Sequence, residues 1–190
     1  QYGHVKIRIR PMVALAEGEE VKKNVTREDH FEFVDAIKGG VIPNEFIPAV
    51  MKGTKEAMAR GMVAGYKMED VTVELYDGSF HDVDSSEQAF KTASLMGFRQ
   101  GYEKAGPVVL EPIMKLETSA PEEFQGTVMG QINQRRGVIM NSATNEGFCV
   151  ADAEVPLSEM FGYATDLRSA TQGKGEFSME FLKYSPVPRN

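Results

Sequence analysis

Two rhythms of apolar positions alternate along the chain, one with a period of two and one with a period near 3.6. Val5, Ile7 and Ile9 alternate with Lys6, Arg8 and Arg10, which predicts a half-buried strand with a basic outer face. The segment from Glu17 to Glu32 is dense in charge, carries Gly18 and Asn24, and reads as a polar hairpin or loop. Phe31, Phe33 and Ile37 predict a second strand, closed by Gly39-Gly40. A helix follows from near Ile47, with Pro48 in its first turn and a buried stripe of Ile47, Val50, Met51, Thr54 and Met58. Gly61 and Gly65 break the chain before a strand at 71–77, where Val71, Val73 and Leu75 alternate with Thr72, Glu74 and Tyr76. A turn on Asp77-Gly78 then leads into a helix from about Ser85 to Lys104, marked by Phe90, Ala93, Met96 and Gly97. Asp84 is positioned to cap that helix, with Glu87 three residues on as in a capping box. Ala105-Gly106-Pro107 stops it, and the domain boundary is placed there.

Both helices carry a second pattern. Ala49, Gly53, Ala57 and Gly61 recur every fourth residue, and so do Ala89, Ala93, Gly97 and Gly101. Such rows form flat ridges that let another backbone approach closely. Glycine within a helix costs about 1 kcal/mol against alanine, so close packing must offset it. The helices are therefore expected to lie tightly against each other or against a sheet.

The second half has its own order. Val108 to Thr118 is a strand with Met114 and Leu116 on one face. Pro121 opens a helix at its first position, with Glu122 and Glu123 favourable to the helix dipole and Phe124, Val128 and Ile132 as the apolar stripe. Arg135-Arg136-Gly137 ends it with cations followed by glycine. Val138 to Met140 is a short strand, Asn141 to Glu146 a turn, and Cys149, Ala151, Ala153 and Val155 alternate in the next strand. Pro156 opens another helix, whose inner side is Leu157, Met160 or Phe161, Ala164 and Leu167. A loop, Thr171 to Gly175, precedes a last strand with Phe177, Met179 and Phe181, and Pro186 and Pro188 end the fold. This β-α-β-β-α-β order is the ferredoxin-like signature. The fold class is thus α+β in two domains, 1–106 and 107–190, the first a βαβ-containing sheet with two helices.

Composition adds limits. With 42% hydrophobic and 26% charged residues the chain is of globular type. No apolar run approaches the roughly 20 residues of a membrane span, so no membrane partner is expected. The single Cys149 forms no internal disulfide and fits a reduced compartment. His4, His30 and His81 are scattered without metal-ligand spacing. The net charge of −7 divides as about −3 up to Gly106 and −4 beyond, so any RNA contact must come from local patches and shape. The chain opens at Gln1 directly before a strand pattern, which gives it the look of a piece of a longer protein.

The candidate chemistry is sparse. No phosphate-binding G-x-x-x-x-G-K-[ST] loop is present, and Gly173-Lys174-Gly175 lacks both the earlier glycine and the Ser/Thr. No serine or cysteine lies in a nucleophile motif. His81 admits three readings: an ordinary turn residue, an acid–base group with Asp82, or a contact probe whose flat ring can stack or donate a hydrogen bond. Arg135 and Arg136 read either as charge compensation at a helix C-terminus or as phosphate contacts, joined by Arg168 and Lys174 if the two helices share a face. The basic face of Lys6, Arg8 and Arg10 is likewise either solvated or in contact with phosphate.

Gly78 to Glu87, with Gly65-Tyr66 before it and Leu110-Glu111-Pro112-Ile113-Met114 after it, resembles elongation factor G, the translocation GTPase of the ribosome. Gln1-Tyr2-Gly3-His4-Val5, Gly39-Gly40-Val41-Ile42-Pro43 and the run Val155 to Ser169 match the same family, in order along nearly the whole chain. The resemblance implies the domains numbered IV and V of that family. The first would have a ribosomal-protein-S5-domain-2-like fold with a left-handed crossover, the second a ferredoxin-like fold, and a last helix that packs on domain IV would lie beyond Asn190. It implies a tip contacting transfer RNA and messenger RNA in the small-subunit decoding centre. On this resemblance Gly78, Ser79, Phe80 and His81 would form that tip, from the family's G-S-[YF]-H-[DE]-V-D motif, together with Gln1 from its G-Q-Y-G-H motif. It further implies that this part is not an enzyme and holds no cofactor, GTP and Mg belonging to the parent protein. The implied partners are the ribosome, with its RNAs and proteins, and upstream domains of the same chain. The implied location is the cytoplasm of a bacterium, or an organellar matrix. A recycling or organellar paralogue and an independent enzyme using His81 are the alternatives.

Overall fold

The computed structural model describes residues 1–61 and 64–189. The chain forms two compact units, Gln1–Pro107 and Val108–Asn190.

In the first unit the strands are His4–Pro11 (β1), Val25–Glu28 (β2), Phe31–Asp35 (β3) and Val71–Ser79 (β4), and the helices are Ile47–Arg60 (α1) and Glu87–Ala105 (α2). The sheet order is β1-β4-β3-β2. β3 and β4 are parallel neighbours joined through α1, a βαβ unit, while the other two pairings are antiparallel. The charged segment before β3 does make a hairpin, with β2 as its first arm. Phe31, Phe33, Val73 and Leu75 from the sheet and Val50, Met58, Phe90 and Phe98 from the helices form one core. The small-residue rows explain how the helices seat. A Cβ on Gly53 would lie 2.5 Å from the Lys91 carbonyl oxygen and also strike Ser94 Oγ, so α1 meets α2 backbone to backbone. On α2 the row turns instead to β1, where a Cβ on Gly101 would lie 2.8 Å from Ile9 and one on Gly97 would touch Val5 and Ile7 at 3.7 Å.

The expected turn on Asp77-Gly78 is absent. β4 continues through both residues to Ser79, opposite Lys6, Val5 and His4 of β1. The alternation fails there because a bulge leaves Tyr76 without a partner: Lys6 faces Asp77 but Ile7 faces Leu75. The extra residue reverses the facing of the strand. Asp77 and Ser79 join Lys6 and His4 on the outer face, and Gly78 turns toward the core, where a Cβ would lie 2.5 Å from Ile42 and strike the His4 carbonyl. The basic face of β1 is paired rather than free, since Lys6 bonds Asp77 at 2.7 Å, Arg10 bonds Glu74 at 2.8 Å, and Arg8 lies 3.8 Å above the Tyr76 ring.

In the second unit the elements are Leu110–Pro121 (β5), Gln125–Gln134 (α3), Val138–Asn145 (β6), Phe148–Pro156 (β7), Tyr163–Ala170 (α4) and Glu176–Pro186 (β8). The sheet order β6-β7-β5-β8, antiparallel throughout, is the ferredoxin-like arrangement. Both helices cover one face, where Leu116, Val128, Ile132, Ala151, Val155, Tyr163 and Leu167 pack together.

Four local expectations are corrected. Pro121 and Pro156 end strands, with ψ of 142° and 132°, and each precedes a single 3-10 turn before the α-helix begins. Proline fixes φ alone, which suits either position. β6 runs on through the polar stretch to Asn145, and the turn is Glu146-Gly147, with φ of 50° and 81°, a tight hairpin connection. At the end of α3 the left-handed residue is Arg136, with φ of 58°, and not Gly137. The Gly137 amide bonds the Ile132 carbonyl at 2.9 Å and the Arg136 amide bonds that of Asn133, a Schellman closure. Gly137 is required for space, since a Cβ would lie 2.5 Å from Val155 and 2.6 Å from Ile132. The inner face of the last helix is Met160, Tyr163 and Leu167, whereas Leu157, Phe161 and Ala164 are exposed.

Candidate functional site

The end of the first unit where β1 begins and β4 finishes carries the candidate site. β4 delivers Ser79 to the edge of the sheet, and a loop of residues 80–85 returns the chain to α2. The cap of α2 is Ser86, whose hydroxyl accepts from the Ala89 amide at 3.1 Å; it is not Asp84. Three residues in series could have capped the helix. Using the last of them lengthens the loop and leaves Asp84 beside His81, with 3.4 Å between the carboxylate and Nδ1.

The loop is held by its backbone. The Ser85 amide donates to the His81 carbonyl at 3.1 Å, closing one turn. The His81 amide donates to Ser85 Oγ at 2.8 Å, and that hydroxyl donates to the Tyr2 carbonyl at 2.9 Å. The Tyr2 amide in turn donates to the Asp84 carbonyl at 2.8 Å. Ser79 Oγ lies 2.7 Å from the Tyr2 hydroxyl and 2.9 Å from His4 Nδ1. Gly3 runs hard against the start of α2, where a Cβ would lie 2.8 Å from the Ala89 carbonyl oxygen. The segments at Gln1–His4 and at 78–85, far apart in sequence, therefore form one tip. Gln1 is exposed at its margin, and Gly78 and Ser79 are strand residues at its base.

What the tip presents is side chain. The His81 side chain is 57% exposed, its ring 6.2 Å from that of Tyr2. Phe80 is exposed and Val83, at 84%, is almost fully so. A tip of this kind can stack, wedge and hydrogen-bond. Two clefts, of about 560 and 350 Å³, lie along residues of the second unit, and His81 lines neither. Among the described residues no group of three or more His, Cys, Asp or Glu is placed to hold a metal ion, and no helix is long and apolar enough to cross a membrane.

Tyr2, His4 and Ser85 were not singled out as site residues in the sequence. The signals for them were the Gln1-Tyr2-Gly3-His4-Val5 and Gly78 to Glu87 matches that contain them, the alternation of β1 continued backwards, and the Ser85-Ser86 pair ahead of the helix.

The second candidate cluster is divided by the structure. Arg135 donates to the Glu159 and Phe161 carbonyls and to the Asp166 carboxylate. Arg136 grips Glu111 with two bonds, of 2.9 and 3.0 Å, and Glu159 with a third of 3.0 Å. The Glu111 side chain is 11% exposed, and these bonds hold its carboxyl below the ordinary carboxylate range, with Ser158 assisting. Both arginines thus fasten the end of α3 to the β7–α4 connection. Arg168 and Lys174 are exposed on α4 and the loop after it, and neither makes a side-chain ion pair among the described residues.

Two family descriptions account for the chain: elongation factor G domain IV matches residues 1–106, and the elongation factor G C-terminus matches residues 108–190. The chain belongs to the elongation factor G family. Elongation factor G 2 of Bdellovibrio bacteriovorus is 60% identical over 160 residues, which is 84% of this chain and 23% of that relative. The chain therefore spans about a quarter of the length of that elongation factor. A crystal structure from Thermus thermophilus superposes with a TM-score of 0.76 at 33% identity, covering 99% of this chain and 29% of that one. The two-unit α+β architecture is that of domain IV and the C-terminal domain of elongation factor G.

Proposed function

We propose that this chain is the ribosome-contacting end of a translocation factor. The tip of Gln1, Gly78, Ser79, Phe80 and His81 contacts transfer RNA and messenger RNA in the small-subunit decoding centre and keeps them from slipping back. The observation that carries this reading is the tip itself, within the region that matches domain IV of the family. Its loop is fixed by main-chain and hydroxyl bonds, while the His81 ring is left exposed. The contribution is steric and hydrogen-bonding, and this part of the protein performs no bond chemistry. GTP and Mg belong to upstream domains of the same chain. In the second unit Arg168 and Lys174 are the ribosomal RNA contacts, and Arg135 and Arg136 position the segment that carries Arg168. The setting is the cytoplasm of a bacterium.

The test is single-round translocation by the full-length factor, wild type against His81→Ala, with ribosome-stimulated GTP hydrolysis followed in parallel. Slow movement with intact hydrolysis is expected; movement at the wild-type rate overturns the tip assignment. The numbered name of the relative, elongation factor G 2, favours one second reading, a paralogue of the translocation factor, for which we propose a role in splitting ribosomes for recycling. Unimpaired movement together with failed subunit splitting in the same variant would establish it.

A further inference from the structure

We propose that Ser85 is the positioning residue of the tip, acting through His81. The inference rests on the reading of His81 as the contact residue. A serine hydroxyl has one proton to donate and two lone pairs to accept with. Here the proton goes to the Tyr2 carbonyl at 2.9 Å and one lone pair takes the His81 amide at 2.8 Å. One oxygen therefore joins the segment leading into β1 to the loop leaving β4, 83 residues apart, and it does so at the backbone of His81 itself.

The surrounding bonds make Ser85 decisive rather than redundant. The Ser85 amide closes the turn on the His81 carbonyl, and the Tyr2 amide holds the Asp84 carbonyl. The first holds the peptide that follows His81 and the second holds Asp84, and neither engages the peptide that precedes His81. The His81 amide itself is held by Ser85 Oγ. Among the described residues the ring has the Asp84 carboxylate at 3.4 Å, longer than a strong charge-assisted bond, and the tilted Tyr2 ring at 6.2 Å. Without the hydroxyl the peptide before His81 is free to rotate, and the ring leaves the place where it meets its partner. A contact residue displaced by about 1 Å loses much of its effect.

The test uses full-length factor with Ser85→Ala, Ser85→Thr, His81→Ala and the Ser85→Ala/His81→Ala pair. Exchange of the His81 amide with solvent is followed by mass spectrometry, and translocation and GTP hydrolysis are followed on ribosomes. Ser85→Ala is expected to speed exchange at His81 about tenfold. It should slow translocation several-fold without changing GTP hydrolysis. Ser85→Thr, which keeps the hydroxyl, should restore both exchange and translocation. In the double variant the loss should equal that of His81→Ala alone, because a positioning residue has nothing left to position. Ser85→Ala moving at the wild-type rate while His81→Ala is slow overturns the role of Ser85 and leaves the tip reading standing. Slowing without faster exchange, failure of threonine to restore, or additive losses in the double variant also overturn it. If His81→Ala is itself unimpaired, the tip reading fails first and this inference with it.

Discussion

The two ends that carry polar candidates, the His81 loop of the first unit and the Arg135-Arg136 corner of the second, use the same kinds of bond in opposite ways. At the loop the backbone and two serine hydroxyls carry the structure, and the aromatic and imidazole side chains are left over. At the corner the side chains carry the structure. Arg136 is bound to two carboxylates, and Arg135 to a carboxylate and two carbonyls. The difference teaches that the type of a polar residue says little about its availability to a partner. What decides is whether the fold has already taken its hydrogen bonds.

The largest expected effect lies at the corner. Arg136→Ala leaves Glu111 in a pocket where its side chain is 11% exposed and has lost two of its bonds. The second unit should lose about 3 kcal/mol of stability, read from urea unfolding of the chain; the value stands at the low end for breaking a buried pair because the arginine itself is partly exposed. Its pH dependence should change as well. In the wild type the Glu111 carboxyl is held low by Arg136, so its contribution is complete above the unfolded carboxylate value and is lost as pH falls through the depressed folded one. Without Arg136 that carboxyl is stranded, and mild acid should relieve the second unit. Unchanged stability and an unchanged acid limb would mean that the arginine is free for a partner after all.

At the base of the tip, Gly78→Ala forces a methyl onto the His4 carbonyl and Ile42. A loss of about 2 kcal/mol is expected in thermal unfolding of the first unit. His81→Ala, only a few residues on, should change stability by less than about 0.5 kcal/mol. A comparable loss in both would erase the distinction between scaffold and presented side chain.

The smallest effect concerns His30, at the end of the same sheet opposite the tip. Asp70 bonds its Nδ1 at 2.9 Å and, with Glu69 adding a weaker pull, holds its pKa above the ordinary value. This contribution to stability is complete below the unfolded histidine pKa and is lost as pH rises through the raised folded one. Proton NMR titration should find His30 raised in the wild type and brought back by Asp70→Asn. A His30 that titrates at its ordinary value in the wild type contradicts the assignment.

Much of this architecture is legible in the sequence, because core positions announce themselves by period. The alternation of β1 and β7, the βαββαβ order and the small-residue rows each follow from packing that local pattern encodes. The misreadings share a physical cause. The bulge at Tyr76 reversed the facing of β4, so a strand passing through Asp77-Gly78 took on the look of a turn. Asp84, Ser85 and Ser86 are all good caps, and only the three-dimensional loop selects Ser86. The dependence of the tip on Tyr2 and Ser85 is a contact across 83 residues, which periodicity does not record. The occupation of Arg135 and Arg136 by Glu111, Glu159 and Asp166 was hidden for the same reason.

The most direct measurement of the tip's role is photocrosslinking. A benzophenone side chain would replace Phe80, which is exposed beside His81, in the full-length factor stalled on translating ribosomes. The account predicts adducts with transfer RNA or messenger RNA at this position, and none from the same probe placed at Val13, near the other end of β1. Adducts confined to ribosomal protein, or equal yields from both positions, would contradict it.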